Sequence, residues 1–391
     1  MSAENLLEKV EKLSPLTIEA ADLASIRTSG ARDVSLSAAR ITAAAQEPEH
    51  ADAVDAALHW AQQQLGKSGN RKLAAMRAVD RLAVEFARRA AALVAGRVSV
   101  EIDARLAYQV GPTIDRAQTT MQQLAEVGLG PDRALIKIPA TWEGIQAAAQ
   151  LERRGIHCLM TLAFGMHQAA ACADAGVAVL SPAVGRITDW HAKQAKVEGF
   201  APAQDPGVLA CMRMYHYLKR HGYRTELVPS TFRSTDQALA LTGSDGLSLP
   251  PTLIDELRLR FGELERKLGP ERANEHAVDR LEVDAVKFTS MNGADPVSSS
   301  KLSQGVKNLS WALVTQEKQL VEWITARQDE AAMMSATALF KVWDYDGDGF
   351  IDREEWGGTD EVFNALDRNR DGRITLQEMA IGLGAPYKPA E

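Results

Sequence analysis

The chain has 391 residues, 46% of them hydrophobic and 25% charged, with a formal net charge of −8. This length suits two or three domains with a sizeable core. The absence of any run of about 18 apolar residues argues against a membrane span, and the absence of a basic patch argues against a nucleic-acid partner. The acidic N-terminus, Met-Ser-Ala-Glu-Asn-Leu-Leu-Glu-Lys-Val, does not read as a secretory signal. Cys158, Cys172 and Cys211 lie in apolar segments without paired spacing, as expected of reduced thiols in the cytoplasm.

Candidate strands fall at 16–20, 33–37, 98–103, 134–140, 158–164, 177–183, 225–232 and 246–249. Amphipathic helical patterns separate most of them, at 71–94, 112–126, 141–154, 166–175 and 206–221, several of them ending at glycine. Strands alternating with helices imply a parallel sheet, and eight repeats imply a closed (β/α)8 TIM barrel, with an open doubly wound sheet as the other solution. Residues 300–328 read as a long helix on the barrel. Asp329 and Glu330 start a new helix, which places a domain boundary near 328: a barrel over 1–328 and a small all-α domain over 329–391.

One strand carries an unexpected charge. In Ala-Leu-Ile-Lys-Ile-Pro, residues 134–139, Lys137 stands among apolar neighbours. Burial disfavours an ammonium, and a neutral amine can attack a carbonyl to form a Schiff base. A lysine that snorkels to solvent from the strand end is the other reading. Side chains of equal parity share a face, so an inward Lys137 brings Leu135 and Pro139 inward with it. Glu101, Thr161 and Ser181 lie on other strands, where they can converge with Lys137 at the C-terminal mouth of the barrel. For Glu101 the alternative is an interior carboxylate paired with Arg97 or Arg105, and for Thr161 a β-branched strand former.

With Thr-Trp-Glu-Gly-Ile-Gln-Ala-Ala (141–148) behind it, the lysine segment resembles the active-site signature of transaldolases. Three further segments share the resemblance: Gly-Arg-Val-Ser-Val-Glu-Ile-Asp-Ala-Arg-Leu (96–106), Ser-Pro-Ala-Val-Gly-Arg-Ile-Thr-Asp-Trp (181–190) and Asp-Pro-Gly-Val (205–208). It covers roughly residues 10–325 and implies a (β/α)8 barrel. It further implies that Lys137 is the Schiff-base nucleophile and that Glu101 and Thr161 hold a proton-shuttling water. Arg186 and Arg233 match phosphate-binding arginines, and Ser181 and Thr231 match hydroxyls near the substrate. The implied reaction transfers dihydroxyacetone between sugar phosphates of the pentose phosphate pathway. Sedoheptulose 7-phosphate and glyceraldehyde 3-phosphate exchange with erythrose 4-phosphate and fructose 6-phosphate, and no catalytic cofactor is needed.

The chain departs from that pattern at four places. Where the family carries Ala-Asp-Thr-Gly-Asp it has Ile18-Glu19-Ala20-Ala21-Asp22, so the acid/base for carbon–carbon cleavage aligns with Glu19. Ser37 replaces a substrate-binding asparagine, Leu159 replaces a second asparagine, and Ala183 replaces an aromatic residue. The extra methylene of Glu19 matters because a shift of about 1 Å in a catalytic group can cost on the order of 100-fold. Besides a working transaldolase, a paralogue with a changed aldolase substrate and a calcium-binding regulatory protein remain as readings.

The tail is read from its own residues. Residues 331–391 hold 12 Asp/Glu against 6 Lys/Arg and so carry −6 of the net charge. Asp344, Asp346 and Asp348 occupy positions 1, 3 and 5 of a twelve-residue loop, with Gly349 at 6, Phe350 at 7, Asp352 at 9 and Glu355 at 12. Asp367, Asn369, Asp371, Gly372, Arg373, Thr375 and Glu378 repeat the pattern over 367–378. These are EF-hand loops, and hard oxygen donors in a flexible loop suit Ca²⁺. Fewer carboxylates and three arginines predict weaker binding at the second loop. Ile351 and Ile374, at position 8, suit a short β bridge between loops. Only 356–366 separates them, room for one short helix capped by Thr359. The entry helix of the first loop is expected over 330–343, with Met333, Met334 and Phe340 packed in its core or, as the other reading, forming a target-binding face. The sequence leaves oligomeric state open, a homodimer included.

Overall fold

The computed structural model describes residues 4–65, 70–275 and 279–385. All eight expected strands form: β1 (Leu16–Ile18), β2 (Asp33–Ser35), β3 (Val98–Glu101), β4 (Ala134–Pro139), β5 (Cys158–Ala163), β6 (Val179–Pro182), β7 (Glu226–Leu227) and β8 (Leu247–Leu249). Every observed pairing is parallel, and the order β7-β6-β5-β4-β3-β2-β1-β8 follows the chain around a ring. Between β8 and the segment following β7, the Ser248 amide donates to the Pro229 carbonyl at 2.9 Å. This is the consecutive order of a (β/α)8 barrel, and a doubly wound sheet would reverse it at a switch point.

The strands are short, and the apolar runs explain why they form. β4 is buried at all six positions, as expected for a strand covered on both faces. Leu135, Leu159, Val179 and Val228 pack together as one cluster of the core. Two devices fix the end of β4. Thr141 caps the helix Trp142–Glu152 by accepting from the Gly144 amide at 2.9 Å, and its hydroxyl donates to the Ala107 carbonyl. A Cβ on Gly144 would lie 2.2 Å from the Pro139 carbonyl, so only glycine lets the helix start this close to the strand.

Helices lie where periodicity places them, at Arg71–Ala91, Val110–Glu126, Trp142–Glu152, Met166–Asp174 and Pro206–Arg220. The C-terminal helix differs from expectation. It runs unbroken from Pro296 to Trp343, through the point where a new helix was expected to begin at Asp329. Past Pro296 it contains no proline, and no glycine follows Gly305, so nothing near 328 stops it. Its early part packs on the barrel: Val297, Leu302 and Val306 join Leu162, Phe164, Ala183 and Ile187 in one buried cluster.

The chain divides into two compact units. One comprises the residues through Ala61 together with Arg77–Gln316, and the other comprises Gln62–Met76 and the residues from Glu317 onward. The second unit has its own core of Ala336, Phe340, Ile351, Phe363, Ile374, Met379 and Ala380. Phe340 is buried there as expected, whereas Met333 and Met334 are exposed rather than packed. The single short helix between the loops is Asp360–Leu366, with Thr359 as its N-cap. Among the described residues, no helix is long and apolar enough to cross a membrane.

Candidate active site

A cavity of about 220 Å³ opens where the strands end, lined by residues from all eight strands or the turns just after them. Lys137 points into it and is only 8% exposed. Its Nζ donates to the Leu36 carbonyl at 2.8 Å and to Ser35 Oγ at 3.4 Å, and it lies 3.5 Å from Glu101 Oε2. The register places Glu101 on one side of Lys137 and Leu159 on the other. The lysine is therefore held in the barrel rather than snorkelling out of it. Glu101 pairs with neither arginine that its sequence neighbourhood offers. Arg97 is engaged by Glu226 at 2.6 Å and Arg105 by Asp103 at 2.7 Å.

Burial pushes the Glu101 carboxyl up, against the opposing pull of Lys137. Its Oε1 is buried without a hydrogen-bond partner. A buried acceptor of this kind is a place for a water or a transferred proton. Thr161, in the same cavity wall, supplies a hydroxyl. β5 is irregular here: its register shifts between Met160 and Ala163, and Leu162 takes a left-handed φ of 58°. The bulge turns both Thr161 and Leu162 toward the cavity, a common device beside active sites. Gln168, fully buried, secures the neighbourhood. Its Nε2 donates to the carbonyls of Ala140 and Leu162, and its Oε1 accepts from the amides of Phe164 and Gly165. Sequence reasoning missed this residue, because a helical glutamine reads as surface.

Glu19, Ser37, Ser181 and Thr231 also line the cavity. Ser37 occupies the N-cap position of the helix Ala38–Ala44 but makes no capping bond. Ser181 Oγ donates to Ser230 Oγ at 3.0 Å. Thr231 has a left-handed φ of 56°, and its Oγ1 is buried without a partner. Leu159 lines the wall as its parity with Thr161 predicts. Arg40, one turn into the helix after β2, reaches the cavity as well, and the sequence had not singled it out.

Arg186 lines the cavity, while Arg233 lies just outside its wall and is gripped by Asp189 at 2.8 Å. Burial, and then the charge of Arg233, lower the pKa of Arg186, with Asp189 opposing. The charge of Arg233 thus disfavours that of Arg186, and a dianion bound by Arg186 would offset it. The three cysteines are buried and free, with burial pushing each thiol up.

A family model of the transaldolase/fructose-6-phosphate aldolase group matches residues 19–320. The chain belongs to the transaldolase family. A transaldolase of Thermosynechococcus vestitus is 42% identical over 97% of both chains, and one of Synechocystis is 42% identical over 99% of both. A transaldolase of Methylococcus capsulatus is 41% identical over 82% of this chain and 97% of its own length. The Lys137–Glu101 pair thus stands in a transaldolase barrel.

The tail matches the EF-hand family at 337–357 and 359–381. In the first loop, one carboxylate oxygen from each of Asp344, Asp346 and Asp348 lies within 4.8 Å of the others, and Asp344 Oδ1 is buried without a partner. Glu355 reaches back to the amides of Tyr345 and Asp352 at 3.2 and 3.1 Å. In the second loop, Asp367 accepts from the amides of Asp371 and Gly372, and Glu378 accepts from those of Arg368 and Thr375. Ile351 and Ile374 exchange two backbone hydrogen bonds at 2.9 Å, the expected bridge. This oxygen-rich donor set, with an orphaned carboxylate oxygen, fits a hard divalent cation.

Proposed function

We propose that the cavity transfers a dihydroxyacetone unit between sugar phosphates through a Schiff base on Lys137. The observation that carries this reading is the buried Lys137 amine facing Glu101 across 3.5 Å inside a cavity that Arg186 also lines. Once it has given up a proton, the Lys137 amine attacks the keto carbon of a ketose phosphate, and Glu101, through a water shared with Thr161, moves the protons that convert carbinolamine to iminium. The iminium withdraws electrons from the C3–C4 bond. Glu19 takes the proton of the C4 hydroxyl, the bond breaks, and an aldose phosphate leaves. The enamine on Lys137 then attacks the carbonyl of an acceptor aldose phosphate, and hydrolysis of the new iminium frees the lysine. Arg186 and Arg233 hold the phosphate, while Ser37, Ser181 and Thr231 face the hydroxyls. The substrates are sedoheptulose 7-phosphate with glyceraldehyde 3-phosphate, and fructose 6-phosphate with erythrose 4-phosphate, as in the pentose phosphate pathway.

Borohydride with fructose 6-phosphate tests the reading: it adds a triose unit of mass to Lys137 and adds none in Lys137→Ala. Absence of any adduct with ketose phosphates overturns it. Leu159 beside Lys137 supports a second reading, a donor with fewer hydroxyls next to the reacting carbon, because an apolar wall leaves such a hydroxyl without a partner. An adduct that forms without transfer to erythrose 4-phosphate favours this alternative.

In the tail, Ca²⁺ would be held by Asp344, Asp346, Asp348, the Phe350 carbonyl, Asp352 and Glu355. The second loop would use Asp367, Asn369, Asp371, the Arg373 carbonyl, Thr375 and Glu378. Calorimetric titration tests this: the pair Glu355→Gln and Glu378→Gln is expected to abolish saturable binding.

A further inference from the structure

We infer that Arg40 is a positioning residue that, with Ser248 and the Thr231 amide, clamps the Glu19 carboxylate at the mouth of β1 and so sets the carbon–carbon cleavage step. The inference rests on the Schiff-base reading above, in which Glu19 takes the C4 hydroxyl proton.

Arg40 Nη2 lies 3.0 Å from Glu19 Oε2. The other oxygen, Oε1, accepts from Ser248 Oγ at 3.2 Å and from the Thr231 amide at 3.3 Å. Both carboxylate oxygens are thus restrained, by groups from three different strand ends. The Glu19 side chain is 14% exposed and shares the cavity with Lys137, so the clamp holds a group that substrate can reach.

Each arm of the clamp is itself built in. The Glu19 amide donates to the Leu249 carbonyl at 2.9 Å, which ties the end of β1 to β8, the strand that carries Ser248. Arg40 stands one turn into Ala38–Ala44, whose start is set by β2, and β1 pairs with β2 directly. Thr231 holds a backbone conformation that a β-branched residue rarely adopts, and the consequence is an amide aimed at Glu19.

The chemistry explains why a clamp is needed. Glutamate has one more rotatable bond than aspartate, and a free carboxylate at the end of it samples positions more than 1 Å apart. Proton transfer requires hydrogen-bond reach to one hydroxyl, and misplacement on that scale costs on the order of 100-fold. One guanidinium N–H on Oε2 and two donors on Oε1 leave a defined orientation, with a lone pair remaining on Oε2 for the substrate. Imine formation at Lys137 uses Glu101 and Thr161 instead, and Arg40 contacts neither in this arrangement of bonds.

Three measurements test the inference against the unaltered protein: for Arg40→Gln and Arg40→Lys, steady-state transfer from fructose 6-phosphate to erythrose 4-phosphate and the rate and mass of borohydride trapping at Lys137, and, separately, transfer by Glu19→Asp. The expected result for Arg40→Gln is a kcat lowered about 10- to 100-fold, with KM and the total adduct at Lys137 within about twofold of the parent, and with the adduct mass shifted from the triose toward the uncleaved hexose phosphate. Retained trapping also shows that the barrel is folded. Arg40→Lys, which keeps the charge, is expected to recover most of the loss. Glu19→Asp is expected to slow transfer, because the shorter arm leaves the clamp. An unchanged kcat in Arg40→Gln overturns the inference. A raised KM with kcat intact overturns it in favour of direct phosphate binding by Arg40. Parallel loss of trapping overturns it in favour of a role in imine formation or folding, and faster transfer by Glu19→Asp overturns the clamp geometry. Failure of the unaltered protein to form any adduct is a different outcome, which removes the Schiff-base reading itself.

Discussion

A Cβ added to Gly185 would lie 2.4 Å from the carbonyl oxygen of Thr231 and 2.7 Å from Arg233 Cγ. The Gly185 amide donates to that same carbonyl at 3.2 Å, and Arg233 Nη1 donates to it at 3.3 Å. The two peptides that flank the Thr231 Cα therefore link three parts of the site, the carbonyl of one on the Arg233 side and the amide of the other on Glu19. The left-handed conformation of Thr231 makes this possible, and the missing side chain of Gly185 gives it room.

Gly185→Ala is expected to push the Thr231 carbonyl away, since the added methyl meets backbone that cannot simply rotate aside. Both the arginine loop and the Glu19 arm lose their anchor. The expected result is a fall in kcat/KM of about 10- to 100-fold, shared between a raised KM and a lowered kcat. Steady-state kinetics checks it, and a profile like that of the parent would show that the loop tolerates the methyl.

Glu101 sets up a conflict between function and stability. Burial outweighs the attraction of Lys137 and raises the carboxyl above its ordinary value. The folded state therefore keeps this proton to higher pH than the unfolded chain does. Below the unfolded value near 4.5 both states are protonated and the group is neutral in the balance. As pH rises above it, the unfolded chain loses the proton first, and this carboxyl destabilises the fold increasingly until the folded value is passed. Glu101→Gln removes that dependence. Thermal unfolding is expected to show the difference in Tm, variant minus parent, growing more positive as pH rises above about 4.5 and levelling off once the folded carboxyl ionises, while imine trapping is slowed.

The order of strands was legible because β/α alternation is written in short segments that carry Val, Ile or Leu, even at β1, β2 and β8, which are three residues each. Lys137 was legible because a charge inside such a run is costly. Arg40 was not, since an arginine one turn into a helix reads as a solvated charge until β1 and β2 are seen side by side. The partner of Glu101 was ambiguous for the same reason: nearby arginines compete on paper, and only register decides. The uninterrupted helix through Asp329 was misread because acidic residues resemble a helix start, although no proline, glycine or capping bond accompanies them there.

Asp205, in the Asp-Pro-Gly-Val segment, had a recognisable motif without a stated role. It is 2% exposed and accepts from four donors: the Gly207 and Val208 amides at 2.8 and 3.2 Å, Thr188 Oγ1 at 2.7 Å and Gln237 Nε2 at 2.8 Å. Gln237 in turn accepts from the Arg233 amide at 2.8 Å. The aspartate therefore caps a helix and braces the arginine loop together. Asp205→Ala leaves several buried donors unpaired and is expected to cost about 3 kcal/mol in denaturant unfolding. Asp205→Asn keeps part of the set and should lose less. Equal losses in the two variants would show that charge, not hydrogen bonding, is the main contribution.

Besides the Ile351–Ile374 backbone bridge, one side chain links the two EF-hand loops. Arg373, from the second loop, places Nη1 3.9 Å from Asp348 Oδ2 in the first and lies over the Phe350 ring at 5.1 Å. A cation bound by the first loop would have to share Asp348 with this guanidinium. Both side chains are about half exposed, so the interaction is weak, of order 0.5 kcal/mol, and sensitive to salt. Arg373→Gln is accordingly expected to tighten Ca²⁺ binding at the first loop about two- to threefold in low salt, with the gain fading near 0.5 M salt. The Arg373 carbonyl, the group proposed to face the second ion, is untouched by the change. Calorimetric titration on the background of Glu378→Gln isolates the first loop. No gain at low salt, or a gain that persists at high salt, would show that Arg373 acts by packing on Phe350 rather than by its charge.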